Sequence, residues 1–312
     1  MKKLISIVTP AYNEELVLDE LKKRLQRMSA KQPKYDFEFI IVENGSWDNS
    51  YQKLLKFNKE DDRFKILQLS RNFGCDGGIT AGLKYAKGDA AVIMNADLQD
   101  PPELIHDFIK RWEKGYDIVY GLIEKRKGVS FIRSVLSSSF YLVINKLTHN
   151  MVPKNASDFR LMDRKVYSVV NQMEERNRFL RGVVAWTGFR QIGIPFKRPP
   201  RFAGKPKANF FAALSVAING VFSFSYFPLK LATWMGFLIF ILSFLLFFYE
   251  FGLYLVFGKE VPGFFTIILA VSFLFGMLFL LLGIMGIYIS RIYDEVKQRP
   301  NFIVSNEIGF SR

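Results

Sequence analysis

Residues 90–102 read AAVIMNADLQDPP, and this stretch decides the fold class. Its apolar first half has the composition of a short buried strand that ends at Met94. A turn rich in carboxylate and amide groups follows at 95–100, and two prolines then open a helical stretch that runs to Lys114. A strand, a polar turn and a helix in this order are typical of α/β proteins, in which ligands bind at the carboxyl ends of the strands.

The same alternation extends along the chain on both sides of this stretch. We predict further strands at 4–9, 37–42, 65–69 and 118–120, and helices at 16–28, 48–57 and 79–86, with Asp48 as the N-cap of the second helix. The pattern indicates a mainly parallel sheet with helices on both faces. The sequence has no GxGxxG after the first strand and no GxxxxGK(S/T), which excludes the usual dinucleotide and P-loop sites.

Charge and cysteine content limit the functional classes. The 312 residues carry 43 Lys and Arg against 29 Asp and Glu, a net charge of +14. Residues 120–210 alone hold 18 basic and 5 acidic residues, whereas the C-terminal part is apolar. A basic middle beside an apolar end indicates an anionic partner at a membrane surface, and no nucleic-acid motif is present. Cys75 is the only cysteine, which excludes an internal disulfide framework.

Two long apolar runs near the C-terminus predict a transmembrane hairpin. Residues 231–249 and 261–290 contain no charged residue, and both runs are long enough for the ~20-residue helix that crosses a bilayer. The short link between them brings both outer ends to one side. Lys230 precedes the first run and Arg291 follows the second, so these ends are expected in the cytoplasm.

The chain is accordingly divided into four segments. Residues 1–206 form a cytoplasmic domain, 207–228 an amphipathic interfacial segment, 229–290 two transmembrane helices (about 229–257 and 262–290), and 291–312 a cytoplasmic tail. The interfacial segment is predicted because apolar residues recur at roughly helical spacing between two lysines and the first apolar run. An amphipathic helix packed on the first domain is the alternative.

The polar motifs that follow the strands carry a family resemblance. They read PAYNEE at 10–15, ENGSWD at 43–48, SRNFG at 70–74 and NADLQDPP at 95–102. The series continues with SDFRLMDR at 157–164, ERNRFLRG at 175–182, RPPRFAG at 198–204 and RIYDEVK at 291–297. This ordered set resembles glycosyltransferase family 2, the inverting nucleotide-sugar enzymes with a GT-A fold. With two C-terminal spans it is similar to the polyprenyl-phosphate glycosyltransferases, the bactoprenol glucosyltransferase group related to dolichol-phosphate mannose synthase.

The resemblance implies a GT-A domain that binds a nucleotide-sugar and a divalent cation. The nucleotide-sugar would be bound by Pro10, Tyr12, Glu14, Glu43, Asn44, Arg71, Asp76, Asn95, Ala96, Arg201 and Lys205. Asp97 and Gln99 would hold Mg²⁺ or Mn²⁺, which prefer oxygen ligands. A capped turn before the two prolines is the structural alternative. Asn44 and Asn95 stand where acids are usual in the family, which puts nucleotide preference and metal affinity in question.

The resemblance also implies candidates for catalysis and for the acceptor. Asp158 is the candidate catalytic carboxylate, which would orient the acceptor, bind the sugar or take a proton; an N-cap or an ion pair with Arg160 is the alternative. Lys125, Arg126 and Arg133 are candidates for the acceptor phosphate, and Arg133 and Arg201 would stabilise charge during transfer. Attraction to anionic lipid is the alternative for these basic residues.

We therefore expect inverting transfer of a sugar, with glucose and UDP as the family precedent, to polyprenyl (undecaprenyl) phosphate. The product would serve cell-envelope glycan or glycoconjugate modification at the inner membrane. The alternative is a catalytically degenerate membrane scaffold or partner of a lipid-sugar flippase, supported only by Asn44 and Asn95. A processive synthase is disfavoured because QxxRW is absent and two spans are too few for a polymer channel. Glycines in the spans and the resemblance to tetrameric members indicate a homo-oligomer.

Overall fold

The computed structural model describes residues 2–124, 155–176, 178–203, 227–257 and 263–310. The strands are β1 (Lys3–Ala11), β2 (Tyr35–Glu43), β3 (Phe64–Leu69), β4 (Ala90–Ile93), β5 (Ile118–Ile123), β6 (Ala156–Asp163), β7 (Gln191–Phe196) and β8 (Val304–Ile308). The helices are α1 (Leu18–Ala30), α2 (Ser50–Glu60), α3 (Gly74–Tyr85), α4 (Ile105–Glu113), α5 (Arg164–Gln172), α6 (Leu180–Trp186), α7 (Phe227–Phe257) and α8 (Phe264–Lys297). A 3₁₀ turn, Pro102–Leu104, leads into α4.

The described strands form one mixed sheet with a parallel centre. Their order is β7-β5-β6-β4-β1-β2-β3-β8. β4, β1, β2 and β3 run parallel, and β5 pairs parallel with β7. β6 is antiparallel to both β4 and β5, and β8 is antiparallel to β3 at the edge. Because the central strands are parallel, the polar motifs that follow them meet at one edge of the sheet.

Side-chain alternation along β1 explains how helices cover both faces of the sheet. Ile5 and Ile7 are buried in the core cluster that also contains the apolar residues of α1, α2 and α4. Val8 points to the opposite face, where α3 packs. A Cβ at Gly82 of α3 would overlap the Val8 side chain and lie 3.1 Å from that of Val42, so glycine permits this close approach. The expected α/β class, a GT-A-like sheet with helices on both faces, is confirmed.

The structure differs from the sequence predictions in several details, and it adds β6, β7, α5 and α6, which the sequence patterns did not indicate. The second helix begins at Ser50 with Asn49 at the N-cap position, although an oxygen of Asp48 still accepts a hydrogen bond from the Ser50 amide at 2.9 Å. The predicted tail 291–312 is divided, since its first residues continue α8 and residues 304–308 form β8. The strand β8 pairs with β3 through contacts far apart in sequence, which local patterns do not reveal.

The C-terminal helices α7 and α8 contain two segments long and apolar enough to cross a membrane, Phe227–Val256 and Phe273–Lys297. The chain divides into two compact units, residues 1–220 with 299–312, and residues 221–298. It therefore leaves the first unit, forms these helices and returns to add β8 to the first unit's sheet. The predicted interfacial segment lies outside the described residues except for its last two positions, which begin α7.

Candidate active site

Loops after β1 and β2 are tied together at the carboxyl edge of the sheet. The Asn13 amide N–H donates to Ser46 Oγ at 2.9 Å, and Asn13 Oδ1 accepts from the Trp47 amide at 3.0 Å. Asn13 has a positive φ of 51°, which asparagine tolerates better than most residues. The Glu14 amide also donates to Ser50 Oγ at 2.9 Å. The predicted nucleotide residues of the first motif are thereby held beside those of the second.

Glu43 and Asn44, at the end of β2, are both buried. One oxygen of Glu43 accepts from the Ser46 amide at 2.5 Å, and the other has no hydrogen-bond partner among the described residues. Asn44 fastens the loop after β3, because its Oδ1 accepts from the Phe73 amide at 3.0 Å and its Nδ2 donates to the Gly74 carbonyl at 2.8 Å. The Asn44 amide therefore has a structural function at the place where a base contact was expected.

The turn after β4 is organised around Asp100, whose side chain is fully buried. One oxygen of Asp100 accepts from the Asn95 backbone amide at 3.1 Å and from Asn95 Nδ2 at 3.0 Å. Burial raises the pKa of Asp100 to about 6, and the nearby Arg198 opposes the shift. Asp97 Oδ1 accepts from the Gln99 amide at 3.2 Å, so the two predicted metal ligands lie on one turn. The predicted donor residue Ala96 is buried within this turn.

Residues 197–203, which we call the strap, lie against this turn. Arg198 Nη2 is 3.6 Å from Asp100 Oδ1, and Arg201 Nε is 3.3 Å from Asp97 Oδ2. Between them, Gln99 Nε2 donates to the Pro199 carbonyl at 3.3 Å. The structure thus brings Arg201 to the predicted metal motif.

The donor set fits a hard divalent cation that keeps most of its ligands from water and substrate. Within the described ranges, no group of three or more His, Cys, Asp or Glu side chains could hold a metal ion. Asp97 and Gln99 nevertheless present a carboxylate and an amide oxygen on one turn. Mg²⁺ is commonly bound by one or two carboxylates together with substrate phosphates and waters. The cation would therefore need the donor diphosphate to complete its coordination.

Asp158, on β6, forms an ion pair with Arg181. Arg181 Nε and Nη2 lie 2.5 and 2.6 Å from the two Asp158 oxygens. The alternative pairing with Arg160 is wrong in detail, since that guanidinium donates to the backbone carbonyls of Ser157 and Asp158 at 3.0 and 3.3 Å. Burial alone would raise the pKa of Asp158, but Arg181 and two further arginines hold it below its ordinary value. Asp158 therefore stays ionised and is a weak base.

Asp76, at the start of α3, belongs to the same cluster. Burial and the charge of Asp158 raise the pKa of Asp76 to about 6, although Arg181 and a hydrogen bond from the Leu180 amide oppose the shift. A cleft of about 200 Å³ opens beside Asp76 and is also lined by Asn301, which reaches it from the segment before β8. The segment that follows α8 therefore contributes to this edge of the sheet.

Several predicted residues have other surroundings. Arg71 is exposed and stacks its guanidinium over the Phe73 ring at 4.1 Å, in the loop that Asn44 holds. Lys125, Arg126 and Arg133, the candidates for the acceptor phosphate, and Lys205 lie outside the described residues.

Sequence reasoning did not single out Arg181, Arg198 or Asp100. All three lie inside motifs that the family resemblance identified, at 175–182, 198–204 and 95–102. Their charged side chains were the available signal. Their partners could not be inferred, because Arg198 and Asp100 are 98 positions apart and Arg181 pairs across 23 positions.

Comparisons with known proteins give one matching family and relatives that align along nearly the whole chain. The sequence model of Glycosyl transferase family 2 matches residues 6–170. An uncharacterized glycosyltransferase of Synechocystis is 41% identical over 305 residues, covering 98% of this chain and 96% of the relative. A bactoprenol glucosyl transferase of Shigella phage SfV is 33% identical over 303 residues, covering 97% of this chain and 98% of the relative. Among solved structures, a glucosyl-3-phosphoglycerate synthase of Mycobacterium tuberculosis has a TM-score of 0.48 at 14% identity, covering 69% of this chain and 75% of that chain.

Proposed function

This chain belongs to glycosyltransferase family 2 and is a glycosyltransferase, and on that premise we propose a specific reaction for it. The donor is a nucleotide-sugar, UDP-glucose, and the acceptor is polyprenyl phosphate. An acceptor phosphate oxygen attacks C1 of the sugar in line, the bond from C1 to the donor diphosphate breaks, and the anomeric configuration inverts. The products are polyprenyl-phosphate-glucose and UDP. The name of the Shigella phage relative supports the sugar and the lipid.

The two-point ion pair between Asp158 and Arg181 is the observation that carries the acceptor class. A sugar hydroxyl needs a base to remove its proton during attack, and the best base has a pKa near the working pH. Arg181 instead holds the pKa of Asp158 below its ordinary value. A phosphate monoester is already anionic at neutral pH and needs no such base. The Asp158–Arg181 pair would then orient the acceptor and the sugar.

The remaining site residues would bind and neutralise the donor. Asp97 and Gln99 would hold Mg²⁺ or Mn²⁺, which supplies positive charge to the diphosphate when bound. Arg201 would place a guanidinium on the leaving diphosphate, where fixed positive charge stabilises the transition state. Glu43, Tyr12 and their neighbours would contact the nucleoside. Lys125, Arg126 and Arg133 would bind the acceptor phosphate.

The apolar helices supply the membrane location in this proposal. The two segments identified by length and composition would span the inner membrane as a hairpin, with the catalytic domain 1–206 and both termini in the cytoplasm. Residues 207–228 would lie in the interface, close to the headgroup of the acceptor. The lipid-linked sugar would then serve cell-envelope glycan modification, and we expect a homo-oligomer, a tetramer.

A donor screen in detergent tests the proposal. Purified full-length protein with Mg²⁺ or Mn²⁺ and undecaprenyl phosphate is offered UDP-glucose, UDP-galactose, UDP-N-acetylhexosamines and GDP-mannose separately. Mass spectrometry should detect lipid-linked hexose from UDP-glucose. The product should be lost in Asp97→Ala but retained in Asp107→Ala, which removes an exposed carboxylate on α4.

The outcomes separate the transferase from the scaffold alternative. Product from a different single donor would correct the sugar and keep the reaction class. No product from any donor, from folded protein that also fails to bind nucleotide, would refute the proposed reaction and favour a degenerate scaffold.

A further inference from the structure

The strap covers both proposed cation ligands in the described structure. Arg201 contacts one oxygen of Asp97, and the backbone N–H of Gln99 donates to the other oxygen. The side-chain amide of Gln99 is itself held by the Pro199 carbonyl. Asp97 is only 12% exposed, so few directions remain from which a cation could approach it. The arginine thus occupies the carboxylate that a divalent ion would need.

The two arginines of the strap face carboxylates that differ in burial. Arg198 faces Asp100, which is fully buried and whose other oxygen is fixed by two hydrogen bonds from Asn95. Arg201 is 31% exposed, and its Nε lies 3.3 Å from Oδ2 of Asp97, whose side chain is 12% exposed. Breaking the first pair would leave a buried carboxylate, whereas the second pair lies partly in water. The strap therefore has an anchored end and a displaceable end.

The charges of Arg201, the divalent cation and the donor diphosphate determine how Arg201 responds when the donor binds. A guanidinium and a divalent cation repel each other strongly at one carboxylate in a cleft with little water. A diphosphate offers the guanidinium a new anionic partner at the same place, in the bidentate geometry that arginine prefers. Exchange of Arg201 from Asp97 to the diphosphate would free the carboxylate for the cation.

We infer that the strap gates the cation site, with Arg201 as a built-in competitor of the divalent ion. Arg201 occupies Asp97 in the enzyme without donor and moves to the diphosphate when cation and nucleotide-sugar bind together. The Arg198–Asp100 pair remains the anchor throughout. This inference depends on the proposed function, because it takes Asp97 and Gln99 as the cation ligands. Its consequence is that the cation alone binds weakly and the donor and cation bind cooperatively.

Direct Mn²⁺ binding tests the gate without relying on turnover. Full-length protein in detergent is titrated with Mn²⁺, and free Mn²⁺ is measured by electron paramagnetic resonance, first without nucleotide and then with UDP-glucose. Arg201→Ala should bind Mn²⁺ alone about tenfold more tightly than wild type, because repulsion and competition are removed. The same variant should bind UDP-glucose more weakly, since the diphosphate loses its arginine. A purely structural role would weaken both.

Three further variants control the result. Arg201→Lys keeps the positive charge and should retain most of the competition. Arg24→Gln removes one arginine from an exposed pair with Glu103 and should bind Mn²⁺ like wild type. Asp97→Asn in the Arg201→Ala background should abolish the tight site.

Failures of the gate and of the cation site are distinguishable. Equal Mn²⁺ affinities of wild type and Arg201→Ala, with loss in Asp97→Asn, would refute the gate and leave the cation site intact. Mn²⁺ binding that is insensitive to Asp97→Asn in every background would refute the cation ligands of the proposed function, and the gate with them.

Discussion

The ion pair between Asp158 and Arg181 makes a prediction about stability that can be worked out from its geometry. Arg181→Met keeps the length and the apolar stem of the side chain but removes its charge and both short contacts with the carboxylate. Asp158 then remains beside the carboxyl group of Asp76, while the Arg160 guanidinium is committed to backbone carbonyls. The variant therefore leaves a partly buried carboxylate without its main partner.

The expected loss follows from burial. Breaking a fully buried pair costs about 3–5 kcal/mol. Here the side chains of Arg181 and Asp158 are 31% and 22% exposed, so water replaces part of what is lost. We expect about 2–3 kcal/mol. For a domain of roughly 200 residues, each kcal/mol lowers Tm by about 2–4 °C, so Tm should fall by about 4–12 °C.

The sign of the pH dependence is fixed by the direction of the shift. Arg181 holds the pKa of Asp158 below its ordinary value in the folded protein. The ion pair therefore stabilises the fold above the pKa of about 3.9 that Asp158 has in the unfolded chain. This stabilisation is lost as the pH falls through the pKa of Asp158 in the folded protein. In Arg181→Met, burial raises the pKa instead, and a neutral Asp158 needs no partner. The difference in Tm between wild type and variant should be largest at neutral pH and should shrink toward pH 4.

Thermal unfolding followed by tryptophan fluorescence, at pH 7.5 and pH 4.5 in one detergent, measures this difference. The matched control is Arg24→Met, which breaks a similar fork to Glu103. The side chain of Arg24 is 22% exposed, but that of Glu103 is 54% exposed, against 22% for Asp158. An exposed pair contributes about 0–1 kcal/mol, so this control should lose at most a few degrees. Equal losses in the two variants, or a loss in Arg181→Met that does not change with pH, would refute the reasoning.

Three other positions give predictions of their own. Asn44→Asp removes the donor to the Gly74 carbonyl and should cost about 1–3 kcal/mol by thermal unfolding; unchanged Tm with tighter UDP binding would instead assign the side chain to the nucleotide base. Gly45→Ala should lower Tm and UDP affinity more than Gly115→Ala. Both glycines have a positive φ, so both substitutions strain the backbone. A Cβ at Gly45 would also lie 2.5 Å from the backbone of the loop after β3, whereas a Cβ at Gly115 would meet open space. Asp76→Asn should raise Tm at pH 7.5 and raise it less at pH 5. Burial of the ionised acid destabilises the fold increasingly as the pH rises from about 4, the pKa of Asp76 in the unfolded chain, through about 6, its pKa in the folded protein. A larger gain in Tm at pH 5 would contradict the raised pKa.

The parallel centre of the sheet could be predicted because its signals are local. The apolar run before Asn95 predicts β4, and the polar turn that begins there predicts a site at the end of the strand. Apolar runs followed by polar motifs likewise predict β1, β2 and β3. β6 could not be placed in this way. Its pairing with β4 and β5 joins residues about 70 and 40 positions apart, for instance Val92 with Leu161 and Val119 with Leu161. The position of β6 between β4 and β5 also brings Asp158 close to Asp76.

The contacts of the site residues can likewise be divided into those that are local in sequence and those that are distant. Asp97 and Gln99 are neighbours on one turn, so the motif itself predicts that they lie together. The contact between Asp97 and Arg201 spans 104 positions and depends on the path of the strap. Local spacing does not determine that path. Contacts between side chains of one loop can therefore be predicted from the sequence, whereas contacts between different loops can be identified only once the topology is known.

The two amides that replace family acids are explained by this long-range chemistry. At position 44 the side chain accepts from one backbone amide and donates to one backbone carbonyl, a pair of roles that an amide fills and a carboxylate does not. At position 95 the amide donates to the buried Asp100 at 3.0 Å, where a second carboxylate would repel it. Neither change removes the oxygens of Asp97 and Gln99. The substitutions thus adapt the site to its own contacts, and they give no support to a lost activity.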